Sequence, residues 1–267
     1  MKNLFSAMLL TGLAGAATTA RAQSTVEFGP RLGLNVSTVK ESGTPDPGSG
    51  FSQETKSIVG VQVGATLNVG INDNFSFQPS LIYSRKGAEF IGKSDFPFNP
   101  AYKTSIEATA TPKIGYLELP LNFVYTFGGH DGFQVFAGPY VAMGVSGEGS
   151  AKATINTNDP DLQMALGGMT SFPATLKVEF GDKQNDNANN NNTSTNPGTL
   201  TATITVKRFD AGLNAGIGYR VGPFQAQLGY GLGLVNFTPK DTNGNDTGAK
   251  SYNRVFQLSA NYFFGGK

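Results

Sequence analysis

The sequence predicts an all-β fold, an eight-stranded antiparallel up-and-down transmembrane β-barrel with long extracellular loops. Three observations carry that expectation. Eight segments alternate apolar residues with polar residues that are mostly uncharged, and the links between them are by turns short and long. After an apolar leader, no run approaches the roughly 20 apolar residues of a spanning helix. A soluble barrel buries its apolar face and shows water Lys and Glu. A membrane barrel instead turns apolar side chains to lipid and fills a narrow lumen with Gly, Ser, Asn and Gln.

Lys2 precedes an apolar stretch at 4–17, and Ala20-Arg21-Ala22 has the small-x-small form of a cleavage site. Residues 1–22 therefore read as a signal peptide removed after Ala22, and residues 23–267 as an outer-membrane β-barrel domain. The chain has no cysteine, which excludes lipid attachment, a disulfide framework and a thiolate site. Losing Lys2 and Arg21 takes Lys+Arg from 20 to 18 against 19 Asp+Glu, a net charge of −1. That balance lacks the basic excess of a nucleic-acid binder.

The first expected strand, 26–36, places Glu27 and Arg31 inward. The second, 59–71, sets Val59, Val61, Val63, Ala65, Leu67, Val69 and Ile71 against Gly60, Gln62, Gly64, Thr66, Asn68 and Gly70. It exceeds the roughly 9–11 tilted residues that cross a bilayer. Strands three (75–83), four (117–127) and five (133–145) keep the period less cleanly. Pro79, Pro120 and Pro139 fall within them and Pro30 within the first, and because proline removes a ladder donor, local bulges are expected there.

Strand six, 209–221, alternates Phe209, Ala211, Leu213, Ala215, Ile217, Tyr219 and Val221 with Asp210, Gly212, Asn214, Gly216, Gly218 and Arg220. Strand seven, 224–234, sets Phe224, Ala226, Leu228, Tyr230, Leu232 and Leu234 against Gln225, Gln227 and three glycines. Strand eight, 253–264, turns Phe256, Leu258, Ala260, Tyr262 and Phe264 one way and Val255, Gln257, Ser259 and Asn261 the other.

Short links at 72–74, 128–132 and 222–223 alternate with long ones at 40–58, 84–116, 146–208 and 236–252. Outer-membrane barrels have short periplasmic turns and long extracellular loops, and this chain has them in phase. Threonine-rich stretches of period two at 104–111, 151–155, 174–180 and 199–206 predict that strands four, five and six run on beyond the bilayer. Residues 181–198, with the Asn run 189–192, read as a mobile tip.

The inward charges Glu27, Arg31, Glu118, Asp210 and Arg220 are expected to form a lumen network, with Arg31 meeting Glu118 and Glu27 meeting Arg220. Unpaired charges in so narrow an interior would be costly. Gln62, Gln78, Asn122, Gln134, Tyr140, Asn214, Gln225 and Gln257 supply the bulk to fill it. Phe75, Tyr125, Phe127, Phe133, Tyr219, Phe224, Tyr262 and Phe264 fall near strand ends beside the short turns, as interface aromatics do. The only histidine, His130, sits in a Gly-rich turn next to Asp131 and reads as a solvated turn residue. With no G-x-S-x-G and no ligand set at fixed spacing, no catalytic residue, metal or cofactor is expected.

The motif G-x-R-x-G-x-N at 29–35, Y-L-E-L-P-L at 116–121, A-G-P-Y at 137–140 and the aromatic last strand follow one another in an order that resembles the PorT-like outer-membrane β-barrel family of Bacteroidetes. The resemblance implies an eight-stranded barrel in the outer membrane and, through the family's named member, an association with protein secretion. The expectation is a monomeric structural or interaction barrel, surrounded by outer-membrane lipid and reaching envelope or secretion proteins through its extracellular loops. The alternative is a porin-like channel for small solutes.

Overall fold

The computed structural model describes residues 25–43, 51–95, 101–184 and 200–265. The expected signal peptide, and most of the expected Asn-rich tip, lie outside them.

Eight strands close a ring, held by antiparallel ladders between each neighbour: β1 (Val26–Ser42), β2 (Phe51–Gly70), β3 (Phe75–Asp95), β4 (Thr104–Thr126), β5 (Gly132–Thr157), then, past the third long link, β8 (Phe209–Val221), β9 (Phe224–Gly233) and β10 (Lys250–Tyr262). β10 returns to β1 from Arg31↔Asn261 to Ser42↔Lys250, and a short β11 (Phe264–Gly265) extends that pairing. The third long link contains a short helix, α1 (Pro160–Ala165), and two strands, β6 (Ser171–Phe180) and β7 (Leu200–Val206).

The outer face is apolar. Phe28, Leu32, Val59, Leu81, Leu117, Val141, Leu213, Leu228, Phe256 and Leu258 are all exposed, an arrangement that only lipid makes favourable on this scale. Next to the short turns the aromatics form a girdle. Ring centroids lie 4.9 Å apart for Tyr125–Phe127, 5.8 Å for Phe127–Phe133, 4.8 Å for Phe224–Tyr262 and 4.8 Å for Tyr262–Phe264. Asn72 shapes the first turn by accepting hydrogen bonds from the Asn74 and Phe75 amides at 3.0 and 2.8 Å. The second turn needs the positive φ of Gly128 and Gly129, 96° and 91°.

The expected bulges at the prolines do not occur. Pro30 pairs with Ala65, Pro79 with Leu121, Pro120 with Tyr140 and Pro139 with Leu213, with no shift of register at any of them. Each strand residue directs its amide to only one of two neighbours. A proline therefore thins a ladder by one bond without inserting a residue.

The ladders slip elsewhere. β2 against β3 shifts between Ser57 and Gln62, and β4 against β5 shifts between Gly115 and Tyr116. The two slips lie at one height, because Arg85 pairs with Gly115 and Gly115 with Ser146. Val145 is the residue passed over in β5, so Val145 and Ser146 both face outward and the parity of the strand reverses above them.

At this height two other features change. Below it β5 pairs with β8, up to Met143↔Phe209; above it β6 takes that place, from Glu148↔Lys177 to Thr154↔Ser171, and β7 pairs with β6 in parallel. The outer face also turns from apolar to charged, with Arg85 and Glu148 in a surface ion pair, Lys177 against Glu179, and Lys93 against Glu107. The apolar belt thus ends at this level, and the long segments expected as loops at 40–58, 84–116 and 146–208 are in large part strands that continue upward. Strands three, four and five carry the extension at 21, 23 and 26 residues, whereas the expected continuation of strand six is the separate β7, shifted sideways by β6.

Closure leaves little room inside. A Cβ on Gly216 would stand 2.2 Å from the Leu228 carbonyl oxygen and 2.6 Å from the Phe136 ring. Gly216→Ala is therefore expected to lower unfolding stability by about 1–3 kcal/mol in urea titrations, with the Phe136→Ala background relieving part of the loss. The folded chain should migrate differently on dodecyl sulfate gels before and after boiling, since antiparallel ladders join every neighbouring pair of ring strands. A stable, monodisperse preparation without detergent would contradict the lipid-facing assignment.

Candidate functional site: a filled lumen between two vestibules

Inward residues of all eight ring strands converge on one axis, and most are polar and buried. Glu27, Arg31, Glu118, Asp210 and Arg220, the five charges read from alternation, are each exposed by 4% or less.

At the short-turn end, Arg220 Nη2 donates to Glu27 Oε1 at 2.8 Å, and Asn68 Nδ2 donates to Glu27 Oε2 at 2.6 Å. The Arg220 guanidinium also donates to the Gly222 carbonyl at 3.0 Å and stacks 5.0 Å above the Phe263 ring. His130 is not wholly in solvent. Its Nε2 lies 3.5 Å from Glu27 Oε1 and its Nδ1 lies 3.3 Å from Asp131, although its side chain stays 57% exposed. A vestibule of about 450 Å³, lined by Glu27, Asn68, Asn74, Thr126, His130 and Arg220, opens here.

Above this mouth, amides interlock across the lumen. Gln225 Nε2 donates to Gln134 Oε1 at 2.8 Å and approaches Gln78 Oε1 at 3.3 Å. Asn261 Nδ2 donates to Gln225 Oε1 at 2.9 Å, and Thr66 donates to Asn261 Oδ1 at 3.0 Å. Gln78 Nε2 donates to Asn68 Oδ1 at 2.9 Å, joining the lattice to the lower ion pair. Inward glycines make room for these side chains, as where the Gln62 side chain lies against Gly33 and Gln227 against Gly218.

The pairing expected for Arg31 is not formed. Arg31 Nη1 donates to Gln227 Oε1 at 3.0 Å, and Arg31 has no ion-pair partner among the described residues, although it lies within the field of Glu118. Glu118 instead pairs with Lys86, and the two side chains are 1% and 2% exposed. Lys86 escaped the alternation reading because Ser84-Arg85-Lys86-Gly87 looks like the polar start of a loop. The signal was present: Gln78, Ser80, Ile82, Ser84 and Lys86 continue one inward period.

Around Lys86 two of the sequence motifs meet. Y-L-E-L-P-L in β4 contributes Tyr116 and Glu118, and A-G-P-Y in β5 contributes Tyr140. The ammonium lies 5.0 Å from the Tyr140 ring centroid and 5.7 Å from that of Tyr116. Such faces attract a desolvated cation. The Tyr140 hydroxyl donates to Asp210 Oδ2 at 3.1 Å, and Asn253 Nδ2 donates to the same oxygen at 2.9 Å. Above the cluster a second vestibule, of about 400 Å³, opens toward the long-loop end.

Among the described residues no three His, Cys, Asp or Glu side chains gather as a metal site.

A closed ring with an apolar outer belt, an aromatic girdle and a polar, interlocked interior is an integral β-barrel of an outer membrane. The chain belongs to the family described as outer membrane protein beta-barrel domain, whose model matches residues 21–238. No curated protein matches the sequence. Among solved structures it is similar to Ail, the attachment invasion locus protein of Yersinia pestis, at 11% identity and TM-score 0.35, over 89% of this chain and 98% of that one. Neisserial surface protein A is similar at 11% identity and TM-score 0.36, over 89% and 97%. OprG from Pseudomonas aeruginosa is similar at 11% identity and TM-score 0.35, over 91% and 97%.

Removing one partner of a buried ion pair leaves the other charge uncompensated, at a cost of about 3–5 kcal/mol. Lys86→Met and Glu118→Gln are each expected to destabilise on that scale, and the double variant by less than their sum. A double-mutant cycle should give a larger coupling for Lys86 with Glu118 than for Arg31 with Glu118; the reverse order would overturn the assignment. His130→Ala, at the exposed mouth, should change stability by no more than about 0.5 kcal/mol.

Proposed function

We propose that this chain serves as a closed, non-conducting barrel of the outer membrane, with the three short turns in the periplasm and the long connections outside, whose work is done by the structure raised above the lipid. The observation that carries this reading is the amide lattice across the lumen. Gln78, Gln134, Gln225 and Gln227 are each exposed by 2% or less, and hydrogen bonds from Gln225 and Gln227 on β9 to Gln78 on β3 span opposite walls between the two vestibules. A path for solute would have to break several buried hydrogen bonds at once.

Resemblance to the PorT-like barrels of Bacteroidetes supports a role in the envelope, secretion included, and two of the motifs behind that resemblance assemble around Lys86. In this reading envelope or secretion proteins meet the extracellular strands, and the chain is an interaction barrel and not an enzyme. A second reading, a small-solute channel, draws on the vestibules at the two ends as its mouths.

Planar-bilayer recording separates the two. The wild-type barrel should show no steady conductance, and the Gln78→Ala, Gln225→Ala, Gln227→Ala triple variant should leak. Steady wild-type conductance would favour the channel. The cysteine-free chain also permits a direct topology test. Met164→Cys in α1, where Met164 is 82% exposed, should label with a membrane-impermeant maleimide on intact cells, and Asp73→Cys should not.

A further inference from the structure

The interior changes character at the height where the ladders slip. In the lipid-spanning ring it is polar, but above Lys86 it becomes apolar. Ile114, Tyr116, Tyr140, Ala142, Val178 and Val206 form a buried cluster that begins beside Lys86 and continues upward, with Phe180, Ile204 and Phe237 packed against it and still partly open. The vestibule of about 400 Å³ lies over this cluster, walled by Ala88, Phe90, Ile114, Ile204, Val206 and Phe237. Protein interiors seldom leave apolar space of this size unfilled, and concave apolar sites of a few hundred Å³ with a few polar groups are where small molecules bind.

The lining says what kind of molecule. Its two charged residues are already engaged: Lys86 by Glu118, and Glu41 by hydrogen bonds from Gln53 at 2.8 Å and Thr55 at 3.4 Å. Desolvation pushes the Glu41 carboxyl up from its ordinary range, against those hydrogen bonds. A charged ligand would be desolvated among largely apolar walls, with Lys86 already paired to Glu118 and Glu41 held by hydrogen bonds at the rim. Ser251, in the same lining, accepts a hydrogen bond at Oγ from Thr238 Oγ1 at 3.0 Å and keeps its own O–H to serve one polar group. A second cavity of about 600 Å³, lined by Phe51, Ile106, Phe172 and Ala202 among others, shares Phe90 with the first and continues the apolar surface outward.

We infer that the vestibule above Lys86 is a binding site for a small, uncharged, mainly apolar molecule with one hydrogen-bonding end, taken up from the long-loop side. The inference adds a ligand to the closed-barrel reading and does not depend on conductance, so either can fail alone.

The chain contains no tryptophan, which makes a single introduced indole an unambiguous reporter. Phe237→Trp in lipid nanodiscs should be quenched saturably by bromohexanol, an uncharged alkyl bromide with one hydroxyl. Half-saturation should require about tenfold more bromohexanoate or bromohexyltrimethylammonium, whose charges would be desolvated among the apolar walls. Phe256→Trp, on the lipid-facing belt, should show only linear quenching by partition. Adding Ile204→Asp to Phe237→Trp should raise half-saturation about tenfold while the heat-dependent gel shift persists, and Phe90→Asp serves the same purpose should that variant fail to fold. Linear quenching at position 237 like that at 256, equal binding of the charged probes, or saturation unmoved by either aspartate would each overturn the inference.

Discussion

Lipid cannot hydrogen-bond a peptide group, and that constraint shapes everything else in this molecule. A sheet can enter the bilayer only if its two edges find each other, as β10 finds β1. Closing eight strands fixes a lumen about one side-chain layer wide. The inward residues must then satisfy one another, which explains why Gln and Asn dominate there and why glycines alternate with them. The bulky amides need a floor without a Cβ on which to lie, as Phe136 does across Gly216 and Gly229.

Charge follows the same rule. Glu27 with Arg220, and Glu118 with Lys86, are taken out of water as pairs, each with polar or aromatic neighbours that replace the lost hydration. Buried pairs of this kind contribute little net stability, yet a single lost partner is costly. Their effect is to fix which strand sits opposite which, since a register slip of one residue would turn these charges toward lipid.

The ring was legible in the sequence because its period is unbroken: strands six, seven and eight, read from Phe209 to Phe264, stand where alternation placed them. Legibility failed at the level of Arg85 and Val145. There the outer face acquires charge, the inner face acquires apolar side chains, and the bulge in β5 reverses parity, so the period-two signal disappears although the strands continue. Lys86 lies at that boundary, beyond the clean alternation of strand three, and within that alternation the inward cation left for Glu118 is Arg31. The parallel pairing of β6 with β7 had no local signature, because it rests on contacts across the intervening link and not on alternation within either strand.

That pairing has a mechanical consequence. Among the described residues β7 has a sheet partner on one side only, so the wall above the membrane is a sheet curled toward closure and not a second ring. The fourth long link spans the gap with few bonds, among them the Lys207 amide to the Phe237 carbonyl at 2.9 Å and the bridge between Lys183 and Lys240. The hoop below is stiff, because widening it means breaking whole ladders; the collar above yields at a seam fastened by a few contacts. One chain thus joins a rigid anchor to a compliant rim, and the stiffness changes within the few residues where β5 exchanges β8 for β6.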